Sequence, residues 1–252
     1  MRLELLWNWR LLCERLAVAS IRQRRLRKLR NTTARNLKLE HIDSLELLEM
    51  ARAAGVNVIY DVGANIGTWT LLARAIIPGA TIEAFEPLPA HHSKFMQNCD
   101  QLSGISLHRV ALGSKNATLP LRVTDFSDAS SFLPVTKEGQ ERFGLKEVAQ
   151  VSVTSWRLEN YCTEKKLPLP DLIKLDVQGF ELEVLSGAIP ILASVKALIV
   201  ELSFVQLYQD QCMFLDVCNA MEKYGFRLHA LGSITPVGEP LVQADALFMK
   251  RE

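Results

Sequence analysis

From residue 56 onward, short apolar runs alternate with stretches of helical periodicity. Residues 57–62 (NVIYDV), 81–85, 106–112, 172–177 (LIKLDV), 197–204 (ALIVELSF), 226–231 and 244–250 read as strands. Between them, residues 66–77 show a helical pattern stopped by Pro78-Gly79, and 90–102, 180–192 and 212–223 are helical as well. Two more strands, 118–123 and 151–156, flank an irregular stretch, 125–148. LIKLDV and ALIVEL are apolar on both faces, which suits central parallel strands covered by helices on either side. The pattern predicts an α/β domain: a doubly wound, mostly parallel sheet with helices on both faces, spanning residues 56–252.

The preceding residues, 1–55, read as an N-terminal helical arm, with 37–55 a separate helix feeding the first strand. Leu5, Trp9, Leu12, Leu16 and Ala19 recur at helical spacing, and Leu6 and Trp7 widen the stripe. The net charge of the chain is +1, yet residues 1–35 carry ten Lys/Arg against two acids. A basic arm on a mildly acidic domain follows. Two readings stay open: an interfacial helix whose arginines meet anionic lipid, and a helix packed on the domain or on a partner subunit. A transit peptide is a third reading. Charges at Arg10, Glu14 and Arg15 break the apolar run, which argues against a secretory signal and a membrane span. Nucleic acid is not an expected partner, because no basic face continues beyond the arm.

With 252 residues, 48% hydrophobic and 23% charged, the chain can bury a full core, and a disordered or collagen-like chain is excluded. Its five cysteines form no C-x-x-C pair, so neither a disulfide framework nor a zinc knuckle is indicated. A reducing, cytoplasmic location is expected, with peripheral contact at the inner face of a membrane if the arm is interfacial. A homodimer is left open.

The candidate chemistry lies after the first strand, where doubly wound sheets bind ligands. The turn reads Asp61-Val62-Gly63-Ala64-Asn65-Ile66-Gly67. Its small positions, 63, 65 and 67, alternate, whereas a dinucleotide turn wants G-x-G-x-x-G beneath a pyrophosphate. Asp61 stands two residues before the first glycine, where it suits a cationic sulfonium and not a diphosphate. Glu86, ending the second strand, is placed to accept hydrogen bonds from ribose hydroxyls. Together these favour a nucleoside cofactor and disfavour an NAD-dependent oxidoreductase.

The segments VIYDVGANIGTWTLLA, EAFEP, DLIKLDVQGFELEVLSGA and LIVELS resemble the FkbM family of methyltransferases over roughly residues 56–250. The resemblance implies a class I methyltransferase fold, whose seven-stranded sheet has one antiparallel strand near its edge. It implies S-adenosylmethionine as cofactor and O-methylation of hydroxyls on sugars of polysaccharides or glycolipids, or on polyketides. Asp61, Gly63, Asn65 and Gly67 would surround the methionine part, Glu86 the ribose, and Ala111 the adenine. Ser130 and Ser131 match a serine-rich stretch bordering the pocket, and Asp176, Gln178, Gly179 and Glu181 match a second signature beside the reacting methyl. Two departures bear on the acceptor: Trp156-Arg157 stands where many members have Leu-Asp, and Gln178 where many have Glu.

Methyl transfer to a hydroxyl needs positioning and a base. Asp176, at the end of an apolar strand, is the first candidate, with a helix-capping or cofactor-orienting role as its rival. Glu201, at the equivalent place on the next strand, is the second, and no metal is expected between them. Ser130, Ser131, Gln178 and Glu181 are candidate acceptor-binding residues, although Glu181 also suits a helix cap. Lys174 is placed to approach an acidic acceptor or to form a salt bridge. His91 and His92 flank the nucleoside. The stretch 125–148 is long enough for a lid over the acceptor, with Phe126 and Phe132 as stacking rings. The alternative from another class is a non-catalytic nucleoside-binding module serving assembly or regulation.

Overall fold

The computed structural model describes residues 2–37, 42–232 and 241–251. It opens with a long helix α1 (Arg2–Leu29) and a short one, α2 (Leu45–Arg52). The sheet then begins with β1 (Val58–Val62), α3 (Thr68–Ile76), β2 (Thr81–Phe85), α4 (Pro89–Cys99) and β3 (Ile105–His108). A second group follows: β4 (Ala111–Leu112), β5 (Ala117–Thr124), α5 (Lys137–Phe143), β6 (Glu147–Trp156) and α6 (Leu158–Lys165). The chain closes with β7 (Leu172–Leu175), α7 (Glu181–Ala188), β8 (Ala197–Ser203), α8 (Phe214–Lys223), β9 (Phe226–Leu231) and β10 (Gln243–Lys250).

The main sheet has seven strands in the order β3-β2-β1-β7-β8-β10-β9. Only β10 runs against the rest, pairing antiparallel with β8 on one side and β9 on the other. The order reverses between β1 and β7, and the crevice at their carboxyl ends is where a ligand fits.

Alternation along the central strands builds two cores. Tyr60, Ile173, Leu198 and Val200 face one layer, packed on α6, α7 and α8 through Tyr161, Val184, Leu185 and Met221. Ile59, Leu172, Ala197 and Ile199 face the other, packed on α2 and α3 through Leu45, Leu48 and Leu72. Because side chains alternate along a strand, Lys174 lies on the α3 side of β7 with Leu172. The same period puts Asp61 on that side of β1, in register with Lys174, and Glu201 on that side of β8 with Ile199.

The structure modifies the sequence reading in three places. The strand expected over 106–112 breaks at Arg109-Val110 into β3 and β4, and β4 leaves the main sheet. It joins β5 and β6 in a separate three-stranded sheet, order β4-β6-β5. The stretch 125–148 is folded: it holds a 3-10 turn (Ser127–Ala129), a bridge from Ser131 to Arg122, and α5, capped by Thr136 and closed at Gly144. Of the helix expected over 37–55, residues 38–41 lie outside the described residues and the described part from 42 to 55 holds α2. Within 1–55, Leu29, Ala34, Ile42, Leu45, Leu47 and Leu48 are buried in the core shared with α3 and β10.

The arm divides accordingly. At the carboxyl end of α1, Arg25 is buried and pairs with Asp43 (2.6 Å) and Glu46 (2.7 Å), and Lys28 pairs with Glu49 (2.7 Å). Towards its start the helix carries exposed apolar side chains, Trp9 at 67% and Leu16 at 61%. Among the described residues, no helix is long and apolar enough to cross a membrane.

Candidate active site

The turn leaving β1 is shaped by three positions of positive φ: Gly63 (83°), Asn65 (50°) and Gly67 (84°). At Gly63 the bend brings the backbone against β7, where a Cβ would lie 1.9 Å from the Asp176 carbonyl oxygen. The bend presents the Asn65 amide to Glu86 Oε2 at 2.8 Å, while Glu86 Oε1 accepts from Leu88 N at 2.8 Å. One carboxylate therefore ties the β1 turn to the β2 turn. His92 Nε2 lies 2.9 Å from the Glu86 carbonyl, and His91 Nδ1 lies 3.2 Å from Oε1 without hydrogen-bond alignment.

Two cavities meet over this turn. The first, about 90 Å³, is a narrow apolar cleft walled by Phe85, Leu88, Val110, Ala111, Leu121 and Phe132, with Glu86, Ser130 and Ser131 on its rim. The second, about 660 Å³, is polar and lies on the α2–α3 side of the sheet. Gly63, Asn65, Asp128, Asp176 and Gln178 line both. The small sheet and the 3-10 turn thus wall the first cavity.

At the junction, Asp176 holds Lys174 Nζ at 2.7 Å through Oδ2 and accepts from Gln178 Nε2 at 2.9 Å through Oδ1. The same amide nitrogen donates to Glu201 Oε2 at 2.9 Å, and Gln243 Nε2 donates to that oxygen at 2.7 Å. Gln178 is held for this by a left-handed backbone (φ 53°), and its carbonyl accepts from Ser131 Oγ at 2.7 Å. Asp245, opposite Glu201 in the β8–β10 register, accepts from Ser44 Oγ on the lip of α2.

The electrostatics follow from burial. Desolvation pushes the Lys174 ammonium down, but Asp176, Asp61 and Asp245 outweigh it and hold the group well above its usual value. Burial raises Glu201 well above the ordinary carboxyl value, and Asp176, Asp245 and Glu181 add to the rise. Burial likewise raises Asp245, with Lys174 opposing. Asp61 is fully buried, its Oδ2 accepts from Thr70 Oγ1 at 2.5 Å, and burial lifts its carboxyl as well.

Of the residues read from sequence, Gly63, Asn65, Glu86, Ala111, Ser130, Ser131, Asp176, Gln178 and Glu201 line one or both cavities. Three do not. Asp61 sits beneath the turn, bound to Thr70, because its side chain points to the covered α3 face of β1. Gly67 lies at the start of α3, where a Cβ would meet the Phe95 ring at 2.9 Å, so its smallness serves helix packing. Glu181 is buried, and its Oε1 accepts from Val177 N (3.2 Å) and Gly179 N (3.1 Å) while Oε2 accepts from Cys212 Sγ (3.2 Å). It clamps the loop that carries Gln178. Of the two roles read for Lys174, approach to an acidic acceptor or a salt bridge, the structure has the salt bridge, to Asp176. Phe132 packs on Phe180, ring centres 4.9 Å apart, and lines the apolar cleft, whereas Phe126 is exposed beside the polar cavity.

Sequence reasoning did not single out Asp245, Gln243, Trp69 or Ser44. Asp245 and Gln243 arrive on the antiparallel strand, far from any motif, and only the pairing of β10 with β8 brings them to the cavity. Among the described residues, no group of three or more His, Cys, Asp or Glu is arranged to hold a metal ion.

The donor set fits S-adenosylmethionine. An apolar slot ending in a carboxylate suits a nucleoside, and a junction bearing carboxylates and backbone amides suits a sulfonium with its amino acid. The strand order, the single reversed strand and this crevice define a class I methyltransferase domain that uses S-adenosylmethionine. Residues 61–228 match the methyltransferase FkbM domain, and the chain belongs to that family.

Among its relatives, methyltransferase sdnD of Sordaria araneosa is 35% identical over 153 residues, covering 51% of this chain and 59% of that protein. The 2-O-methyltransferase NoeI of Sinorhizobium fredii is 29% identical, covering 61% and 66%. The hexuronic acid methyltransferase AglP of Haloferax volcanii is 28% identical, covering 64% and 61%. The matched stretch is thus less than two thirds of each relative. A magnesium protoporphyrin IX methyltransferase from Synechocystis, solved with bound cofactor, superposes with a TM-score of 0.48 at 12% identity, over 92% of this chain and 91% of that one.

Proposed function

We propose that this protein is an O-methyltransferase that transfers a methyl group to a hydroxyl of a sugar, in a glycan or glycolipid. The observation that carries the reading is the meeting of an apolar nucleoside cleft with a large polar cavity over Asp176. The names of NoeI and AglP support the sugar as acceptor class.

When bound, S-adenosylmethionine supplies an electrophilic methyl whose C–S bond breaks as the acceptor oxygen bonds to carbon, leaving a neutral thioether. Glu86 holds the ribose hydroxyls, and Phe85, Leu88, Ala111 and Leu121 exclude water around the base. Asp176 takes the acceptor's hydroxyl proton. Lys174, 2.7 Å away, pairs with that carboxylate and fixes its rotamer. Gln178 orients Asp176 and Glu201 together, and Ser131 orients Gln178. Glu201, with its raised affinity for a proton, holds the acceptor as a hydrogen-bonding partner or receives the proton in turn.

Replacement of Asp176 by Asn tests the assignment. Turnover of radiolabelled methyl into glycan and lipid extracts is expected to fall about 100-fold with cofactor affinity retained, within the range for loss of a general base. Undiminished turnover rejects Asp176 as base.

The arm supports peripheral contact with an anionic membrane. Trp9 and Leu16 project roughly 180° around α1 from Arg25 and Leu29, the side chains that dock its last turns. The exposed apolar face is continued by exposed Arg24, Arg27 and Arg30, whose charge complements anionic headgroups.

A further inference from the structure

The charge layout of the larger cavity points to the kind of acceptor it accepts. Five carboxylates line it: Asp43, Asp128, Asp176, Glu201 and Asp245. Among the described residues, its one lining cation is Lys174, which is buried, already bonded to Asp176 at 2.7 Å and further held by Asp61 and Asp245. Arg25, behind the wall, is engaged by Asp43 and Glu46. Acceptor oxygens are plentiful by contrast, on Asp128, Glu201, Gln243 and Asp245, while the amide nitrogens of Gln178 and Gln243 and the Ser44 hydroxyl already donate within the lining.

An anionic sugar entering this space would bring a carboxylate or phosphate towards a lining that holds five acids, with the lining cation already paired to Asp176 and no cation left to receive it among the described lining residues. Like charges held 5–6 Å apart in a protein-lined site cost at least a factor of ten in affinity. A neutral polyol loses only hydration, and its hydroxyls can donate to the lining carboxyl and amide oxygens. An amino group gains from the same carboxylates.

We infer that the acceptor is a polyhydroxyl compound without anionic groups, neutral or amino-bearing, and that the cavity rejects uronates and phosphorylated sugars. The inference rests on the reading of this cavity as the acceptor site. It separates this chain from a relative named for hexuronic acid, despite the shared family.

The experiment fractionates glycans and glycolipids from source cells by ion exchange into neutral, amino-bearing and anionic pools. Each is incubated with the full chain and radiolabelled S-adenosylmethionine, while binding of S-adenosylhomocysteine is measured separately by calorimetry. Label at least tenfold higher per acceptor in the neutral and amino pools than in the anionic pool is the expected result. The variant Asp245→Asn should narrow that preference several-fold with S-adenosylhomocysteine affinity unchanged. Label concentrated in the anionic pool overturns the inference. So does label in no pool when S-adenosylhomocysteine still binds, since the acceptor is then not a glycan. Failure of S-adenosylhomocysteine to bind counts instead against the methyltransferase reading itself.

Discussion

Lys174 and Asp176 lie two residues apart at the end of β7, and their side chains meet at 2.7 Å between the cofactor crevice and the polar cavity. The Lys174 side chain is only 5% exposed, so its charge is tolerated through Asp176, with Asp61 and Asp245 nearby. Replacing Lys174 by Met leaves those carboxylates uncompensated. A loss of about 3–5 kcal/mol of stability is expected from breaking a buried pair. Urea unfolding at pH 7 measures it, and a loss below about 1 kcal/mol would mean that solvent screens the cluster. The variant should also slow methyl transfer more than it weakens cofactor binding.

The acid cluster fixes the direction of the pH dependence. Glu201 and Asp245 have raised carboxyl values in the folded state, so the folded chain binds more protons than the unfolded one over the interval between the two. Their contribution is most favourable below the unfolded values, 4.5 for Glu and 3.8 for Asp, and is lost as pH climbs through the raised folded values. Stability from this cluster should therefore fall with rising pH across the acid-to-neutral range. Glu201→Gln should flatten the fall. Thermal unfolding of both proteins over that range checks the sign, and an unchanged slope contradicts it.

The two outer glycines of the β1 turn separate by role. Gly67→Ala strains a residue at φ 84° and pushes a Cβ to within 2.9 Å of Phe95, whose ring can shift. A cost of about 1–2 kcal/mol is expected with cofactor affinity nearly intact. Gly63→Ala sets a Cβ 1.9 Å from the Asp176 carbonyl oxygen, a backbone atom that cannot yield without moving β7. That variant should lose both stability and S-adenosylhomocysteine binding. Equal effects at the two positions would contradict the assignment of Gly67 to packing.

The residues explain why some of this was legible in the sequence and some was not. Strands such as LIKL and ALIVELS are buried on both faces, so their apolar runs marked the sheet centre unambiguously. The alternating glycine turn and Glu86 are local features, and local features survive reading in one dimension. Asp61 and Glu181 belong to the same motifs yet face inward, because strand period and loop clamping decide which side of a motif meets the ligand. Asp245 and Gln243 reach the cavity only through antiparallel pairing with β8, a contact some forty residues away in sequence that no local pattern encodes. The break between β3 and β4 likewise depends on β6, which draws Ala111 and Leu112 out of the main sheet.

The arm makes its own prediction. In the full chain, Trp9→Ser with Leu16→Ser should abolish flotation with vesicles of phosphatidylcholine containing phosphatidylglycerol. The unmodified chain should float with these and far less with phosphatidylcholine alone. Equal flotation of both proteins removes the membrane contact. A dimer in analytical ultracentrifugation that the double variant loses assigns the face to a second copy instead.

The central claim is that the crevice between the 63–67 turn and Glu86 holds the nucleoside of S-adenosylmethionine. Calorimetric titration of the chain with S-adenosylhomocysteine, beside Glu86→Ala, tests it most directly. The Ala variant removes the ribose acceptor and leaves the amides of Asn65 and Leu88 unpaired. One site per chain is expected, with affinity falling by about 10- to 100-fold in Glu86→Ala from the loss of charged hydrogen bonds. No heat with the unmodified chain, or equal affinity in the two proteins, would contradict the account.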